Sequence, residues 1–108
     1  MVEVSKFDAA EYLKTPEMIA VYLTDAFETD DPVFISLAIG TAARAKGMAE
    51  VAKAAGVSRE SLYKSLNGQS KPEFDTVRRV LTALGIKLVA EPISDSEAAL
   101  CVSGTNVA

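Results

Sequence analysis

Residues 56–68 read GVSRESLYKSLNG, and their order decides the fold. Gly56 follows an apolar-patterned run, Met48 to Ala55, that predicts a helix of only about two turns. Such a helix is too short to stand alone, so tertiary packing has to hold it. After Gly56, Ser58 supplies a hydroxyl suited to cap a second helix, and Val57 and Leu62 flank that cap as a hydrophobic staple. Ala52 stands four residues before Gly56, where a small side chain lets the second helix cross the first at close range. Two short helices joined by a tight turn containing glycine form the outline of a helix-turn-helix.

The second of these helices is expected to run from Arg59 to about Asn67. Steps of 100° per residue put Leu62 and Leu66 together on a buried side, with Glu60 and Lys64 opposite. Asn67, Ser61 and Tyr63 flank that polar side, and Arg59 lies on the first turn. Gly68 closes the helix, and NGQSKPEF leads to another, Glu73 to Leu84, with Phe74, Val77, Leu81 and Leu84 spaced to close the core. Arg78 and Arg79 lie farther along it, and one of them is expected to face solvent.

Upstream, the pattern is also helical. Asp8 can cap a short first turn, and Thr15-Pro16-Glu17 opens a helix whose Met18, Ile19, Tyr22, Leu23 and Phe27 form an apolar face. Asp31-Pro32 restarts the chain as a cap and first-turn proline. The next helix runs to about Lys46, with Phe34, Leu37, Ala38, Thr41, Ala42 and Ala45 along one stripe. Gly47 is expected to stop it in the left-handed conformation.

Composition narrows the function. The chain has 108 residues, 49% of them apolar, and lacks any run of 18 apolar residues, so one cytoplasmic domain without a membrane span is expected. The charged residues Glu3, Lys6, Asp8 and Glu11 argue against a secretory leader. There is no histidine, and Cys101 is the single cysteine. Zinc sites of the Cys/His type and triads with a histidine base are therefore excluded, and no cofactor is expected. Carboxylate catalysis stays formally open, but the acids are scattered over polar faces and turns.

The net charge of -4 conceals a segregation. Residues 40–88 carry nine bases against four acids, a net +5, and the remainder carries two bases against eleven acids, a net -9. Two surfaces with different partners would account for this, one basic for phosphate and one acidic for solvent or a basic protein. The alternative is chance clustering on solvated helix faces.

FDAAEYL near the start, GVSRESLYKSLNG in the middle and LGIKLVAEP near the end carry a wider resemblance. Residues 34–85 resemble the helix-turn-helix domain of the Xre/Cro repressor type, and residues 7–92 resemble HigA-like antidote proteins of toxin–antitoxin addiction modules. The fold this implies is all-α: a five-helix, lambda-repressor-like helix-turn-helix domain with an extra N-terminal helix and a short C-terminal dimerisation strand. The corresponding segments are an acidic helical extension (1–31), the DNA-binding domain (32–85), the strand (86–91) and a tail (92–108).

In this motif the N-terminal end of the second helix enters the major groove. The candidates for base contact are then Arg59, Glu60, Ser61, Tyr63 and Lys64. Arg59 or Lys64 could donate to guanine, Glu60 could accept from cytosine N4, and Tyr63 or Ser61 could touch a thymine methyl or a phosphate. Tyr63 could instead pack on a neighbouring helix, and Glu60 could serve the helix dipole. Phosphate contacts are expected from Asn67, Gln69, Ser70 and Lys71, where the next helix offers its free N–H groups, with Arg44 and Lys53 as further charge or plain surface. Two positions depart from the family pattern. Met48 stands where a glutamine often contacts phosphate, and Ser65 replaces a commonly apolar residue.

The motif usually acts as a two-fold dimer on half-sites one helical turn apart. Ile86 to Ala90 alternates like a short strand, so Ile86, Leu88 and Val89 are expected to pair with a second subunit; a tail packed on its own domain is the alternative. Beyond Pro92, SDSEAALCV could form a last helical turn, with Cys101 as a small apolar residue. The resemblance implies a non-enzymatic antitoxin that represses its own operon at a double-stranded DNA operator and neutralises a small basic RelE/HigB-like ribonuclease, met by the acidic N-terminal segment. Two other readings remain: a prophage-type repressor without a toxin, and a helix-turn-helix interaction module that no longer binds DNA.

Overall fold

The structure, a computed structural model, describes residues 9–93. A 3-10 turn at Ala9–Tyr12 precedes five α-helices: α1 Pro16–Glu28, α2 Pro32–Lys46, α3 Met48–Ala55, α4 Arg59–Ser65 and α5 Phe74–Ala83. The chain is all-α, with α1 as the N-terminal addition and α3–turn–α4 as the helix-turn-helix. The cap expected from Asp8, the turn expected in SDSEAALCV and Cys101 lie outside the described residues.

Local chemistry starts the helices where the sequence places the caps. Thr15 Oγ1 accepts from the Met18 N–H at 3.2 Å, and Asp31 Oδ1 accepts from the Val33 and Phe34 N–H groups at 3.0 and 3.3 Å. Ser58 Oγ accepts from the Ser61 N–H at 3.0 Å. Each such cap satisfies a donor that the helix leaves unpaired and contributes about 1 kcal/mol. Gly47 has φ 119° and ψ 111°, so it takes positive φ as expected but outside the left-handed helical region.

Tertiary packing then chooses among the apolar arcs, and it corrects three of the expected faces. In α1 the core takes Ile19, Leu23 and Ala26, with Tyr22 partly buried, while Met18 and Phe27 remain exposed. In α2 it takes Ser36, Ala38, Ile39, Ala42 and Ala43, and Phe34 and Leu37 point outward. Helix α2 is packed by both α1 and α3, so the arc it buries is the one lined by small side chains that two neighbours can approach. In α5 the core takes Val80, Leu81 and Leu84, with Val77 at its margin, whereas Phe74 is 70% exposed. Its partner α3 spans eight residues, about 12 Å, against ten in α5, and Phe74 is the first residue of the longer helix.

The C-terminal strand is absent among the described residues. Instead the Ile86 N–H donates to Leu81 O at 2.9 Å and the Gly85 N–H donates to Thr82 O at 3.0 Å, which closes α5 in a Schellman motif. Ile86 packs against the core as the closing residue, and residues 87–93 stay exposed. Among the described residues there is no second strand with which this segment could form a ladder.

Two contacts tie the helices around the turn. In α2, a Cβ built on Gly40 would lie 2.9 Å from the carbonyl oxygen of Leu66 and 3.3 Å from its Cβ, so α2 passes the end of α4 at backbone distance. From α5, Arg79 Nη1 donates to Ala55 O at 3.4 Å, and its Nε lies 3.0 Å from Asp75 Oδ2. Arg78 Nη2 donates to Asp75 Oδ1 at 2.8 Å. This hydrogen bond, joined by the charge of Arg79, holds the Asp75 carboxyl below its ordinary value despite some desolvation.

Gly40→Ala tests the close approach, because two effects oppose. Alanine is favoured over glycine inside a helix by about 1 kcal/mol, but the backbone oxygen in its way has to move. We expect a net loss of about 1–2 kcal/mol in denaturant unfolding, as for other overpacked sites. Asp75→Asn tests the clamp. A carboxylate with a lowered folded-state pKa stabilises above its unfolded value and loses that contribution as pH falls through the folded one. The melting temperature of Asp75→Asn should therefore lie below wild type at pH 7, with the gap closing below about pH 4.

Candidate nucleic-acid interface

The turn between α3 and α4 is built from backbone hydrogen bonds. Gly56 adopts φ 76° and ψ 28°, the left-handed conformation that costs an L side chain strain. The Gly56 N–H donates to Lys53 O at 3.2 Å and the Val57 N–H donates to Ala52 O at 3.0 Å, a second Schellman closure. Ala52 is buried at the crossing, and Val57 packs against the core, as the staple requires. Ser58 then caps α4 and also donates through its hydroxyl to Ser61 Oγ at 2.9 Å.

Helix α4 is shorter than expected, ending at Ser65 with Leu66 as its cap and Asn67 beyond it. Its rotation matches the expectation. Leu62 has no exposed surface and Leu66 is buried, while Arg59, Glu60, Ser61, Tyr63, Lys64 and Asn67 are all exposed. The guanidinium of Arg59 sits 5.6 Å from the centre of the Tyr63 ring, a cation–π contact that lays the arginine along the helix. Asn67 Oδ1 accepts from the Gln69 N–H at 2.8 Å, so its carboxamide shapes the loop and presents its NH2 group as the remaining donor. Gln69, Ser70 and Lys71 follow on the exposed loop.

Beside α4 lies a cleft of about 170 Å³, floored by Met48 and Leu66 and edged by Thr41, Arg44, Tyr63 and Asn67. It brings Arg44 of α2 to the same side as the outward residues of α4, with Arg44 Nη2 donating to Thr41 Oγ1 at 3.5 Å. Lys53 is exposed on α3. Met48 is buried, so its side chain serves the core in place of any contact to phosphate.

The basic block is partly spent on internal pairs. Lys46 lies 4.0 Å from Glu50, and Arg78 and Arg79 both bind Asp75. Arg59, Lys64, Lys53 and Lys71 make no ion pair among the described residues. The positive charge left for a ligand is therefore concentrated on α4, its loop and the adjoining surface. Two contacts that matter here were not expected from the sequence, which placed Arg79 on the last helix without a partner. Arg79 clamps the end of α3, and Gly40 sets how near α2 comes to α4; a glycine inside a helical pattern was the available signal for the second.

The outcome is a short helix held from below by two leucines, with donors, an acceptor and an aromatic ring on its open side. That inventory matches what base edges and phosphates offer.

Comparison with known proteins identifies a family. A protein family described as "Probable addiction module antidote protein" matches residues 3–92. An uncharacterized protein of Haemophilus influenzae is 41% identical over 85 residues, which are 79% of this chain and 88% of that one. No solved structure matches. The match spans the helix-turn-helix and the helix before it, and the chain belongs to the family of probable addiction module antidote proteins.

Proposed function

We propose that the chain is the DNA-binding antitoxin of a two-gene addiction module, repressing its own operon as a dimer and neutralising a basic ribonuclease of the RelE/HigB-like kind. Membership of the antidote family supports the antitoxin role, a toxin partner and a non-enzymatic regulatory protein. The observation that carries the DNA-binding half is the rotation of α4, which buries Leu62 and Leu66 and leaves the polar residues outward.

On this reading Arg59, Glu60, Ser61, Tyr63 and Lys64 contact bases. Arg44, Lys53, Asn67, Gln69, Ser70 and Lys71 contact phosphates on either side. Arg59 enters at the N-terminal end of α4, and its stacking on Tyr63 reduces the freedom it loses on binding. Residues 1–31 form the acidic extension, 32–85 the DNA-binding domain, 86–91 the dimerisation segment and 92–108 the tail. Among the described residues no helix is long and apolar enough to cross a membrane. We place the protein in the cytoplasm, where its operator lies.

A dimer is proposed because one short helix neutralises few phosphates, and two-fold pairing doubles both the contacts and the length of sequence read. Leu88 and Val89 support this, being 47% and 67% exposed just beyond α5. Sedimentation at micromolar concentration should give a dimer, and Leu88→Lys with Val89→Lys should shift it toward monomer. A wild-type monomer would remove the proposed arrangement.

Gel shifts with the protein's own promoter test the groove contacts. Arg59→Ala with Lys64→Ala should lose about 1–3 kcal/mol of operator affinity for each good base contact removed. Lys71→Ala should weaken all sequences alike and reduce the salt dependence by about one phosphate. Unchanged affinity and sequence preference in the double variant would show that α4 does not read DNA.

A further inference from the structure

Asn67 and Gly68 follow each other just past the end of α4, and local structure holds each in place. Gly68 has φ 82°, and a Cβ built on it would lie 3.0 Å from Leu37 Cγ, so backbone conformation and space both disfavour a larger residue. Asn67 Oδ1 accepts from the Gln69 N–H at 2.8 Å, which arches the carboxamide over the intervening Gly68 peptide. The Gly68 N–H makes no hydrogen bond among the described residues. Asn67 itself is exposed and lies outside the helix, beyond the cap Leu66.

We propose that Asn67 is a site of spontaneous deamidation, and that the product loosens the hold on DNA as a molecule ages. Water is the only co-reactant. The Gly68 backbone nitrogen gives up its proton to solvent and attacks Asn67 Cγ; the new C–N bond forms, the Cγ–Nδ2 bond breaks, and the amide nitrogen takes a proton and leaves as ammonia. One water then opens the resulting succinimide at either carbonyl, giving aspartate or isoaspartate at this position. One water is consumed and one ammonia released, with nothing oxidised or reduced. The fold favours each part of the step. The Gln69 N–H already sits on the oxygen where negative charge develops, the attacking nitrogen is not engaged elsewhere, and glycine has no side chain to crowd it. Asn106 precedes Val107, whose branched side chain hinders the equivalent attack.

The consequence falls on the proposed DNA surface and rests on that reading. Deamidation turns a neutral amide into a carboxylate, which removes the NH2 donor and adds a negative charge beside Gln69, Ser70 and Lys71. That charge opposes phosphate whatever the base sequence, so the operator and an unrelated duplex lose affinity alike. Isoaspartate also inserts one methylene into the backbone of the loop between α4 and α5, the segment that sets the loop's reach toward DNA.

The test incubates the full-length protein in mildly alkaline buffer and samples it over days. Peptide mass spectrometry reads the conversion of amide to acid at each asparagine, and gel shifts read affinity for the promoter and for an unrelated duplex. Asn67 should convert at least tenfold faster than Asn106, to a mixture of aspartate and isoaspartate, and more slowly as the buffer is acidified. Affinity of the wild type for both duplexes should fall in step with conversion. Asn67→Gln, whose longer side chain closes its ring far less readily, should keep its own starting affinity throughout. Freshly prepared Asn67→Asp should bind both duplexes at least fivefold more weakly than fresh wild type, with circular dichroism confirming an intact fold. Asn67 persisting as the amide overturns the site, and full conversion with unchanged affinity overturns its effect on DNA. If fresh wild type binds neither duplex, the DNA reading of α4 and its loop fails and takes that effect with it, while the mass analysis still decides the site.

Discussion

Helix α4 has seven residues, about half the length at which a helix begins to persist in water. Its orientation is imposed from outside, and the imposing contact is Leu62. That side chain has no exposed surface and shares one core with Val51, Ala52 and Ala55 of α3. Leu66 anchors the far end under α2, where Gly40 allows backbone to meet backbone. With two points of one face held down, the opposite face has no rotational choice. Replacing Leu62 with alanine would cost about 2–5 kcal/mol by the usual cavity argument, and would also free the rotation on which the polar residues depend.

The turn before α4 is over-determined in the same way. Its backbone bonds, the left-handed glycine, the Ser58 cap and the Arg79 contact to Ala55 all specify one crossing of α3 and α4. None of these is strong alone, and their agreement is what fixes the geometry. The charges follow the fold. Arg78 and Arg79 satisfy Asp75, which leaves Arg59 and Lys64 of α4 and Lys71 of its loop without an ion pair among the described residues, and the acids of α1 lie on a helix that contains no base.

What the sequence disclosed was mostly local. The caps at Thr15, Asp31 and Ser58, the stops at Gly56 and Gly85, and the burial of Leu62 and Leu66 depend on residues within a turn or two of each other. Helical faces were less legible where an element has more apolar residues than one neighbour can cover. Phe34, Leu37 and Phe74 fit a helical period as well as Ile39 or Val80 do, and only the position of α1 and α3 decides between them. Asp75 and Arg79 stand at the i,i+4 spacing of a helical ion pair, but the contact from Arg79 to Ala55 joins α5 to α3 and has no spacing by which to find it. The segment after Gly85 alternates like a strand, but a strand exists only with a partner, and within one chain Ile86 closes α5 instead.

On the proposed function, burial of Leu62 and Leu66 turns Arg59, Glu60, Ser61, Tyr63 and Lys64 toward DNA. Titrating isotopically labelled protein with an operator duplex, and following each residue by NMR, addresses it directly. The largest shifts should fall on Arg59 to Lys64 and on the loop through Lys71, with Glu17, Met18, Val21 and Asp25 unmoved. Shifts concentrated on α1, or spread evenly with none on α4, would contradict it.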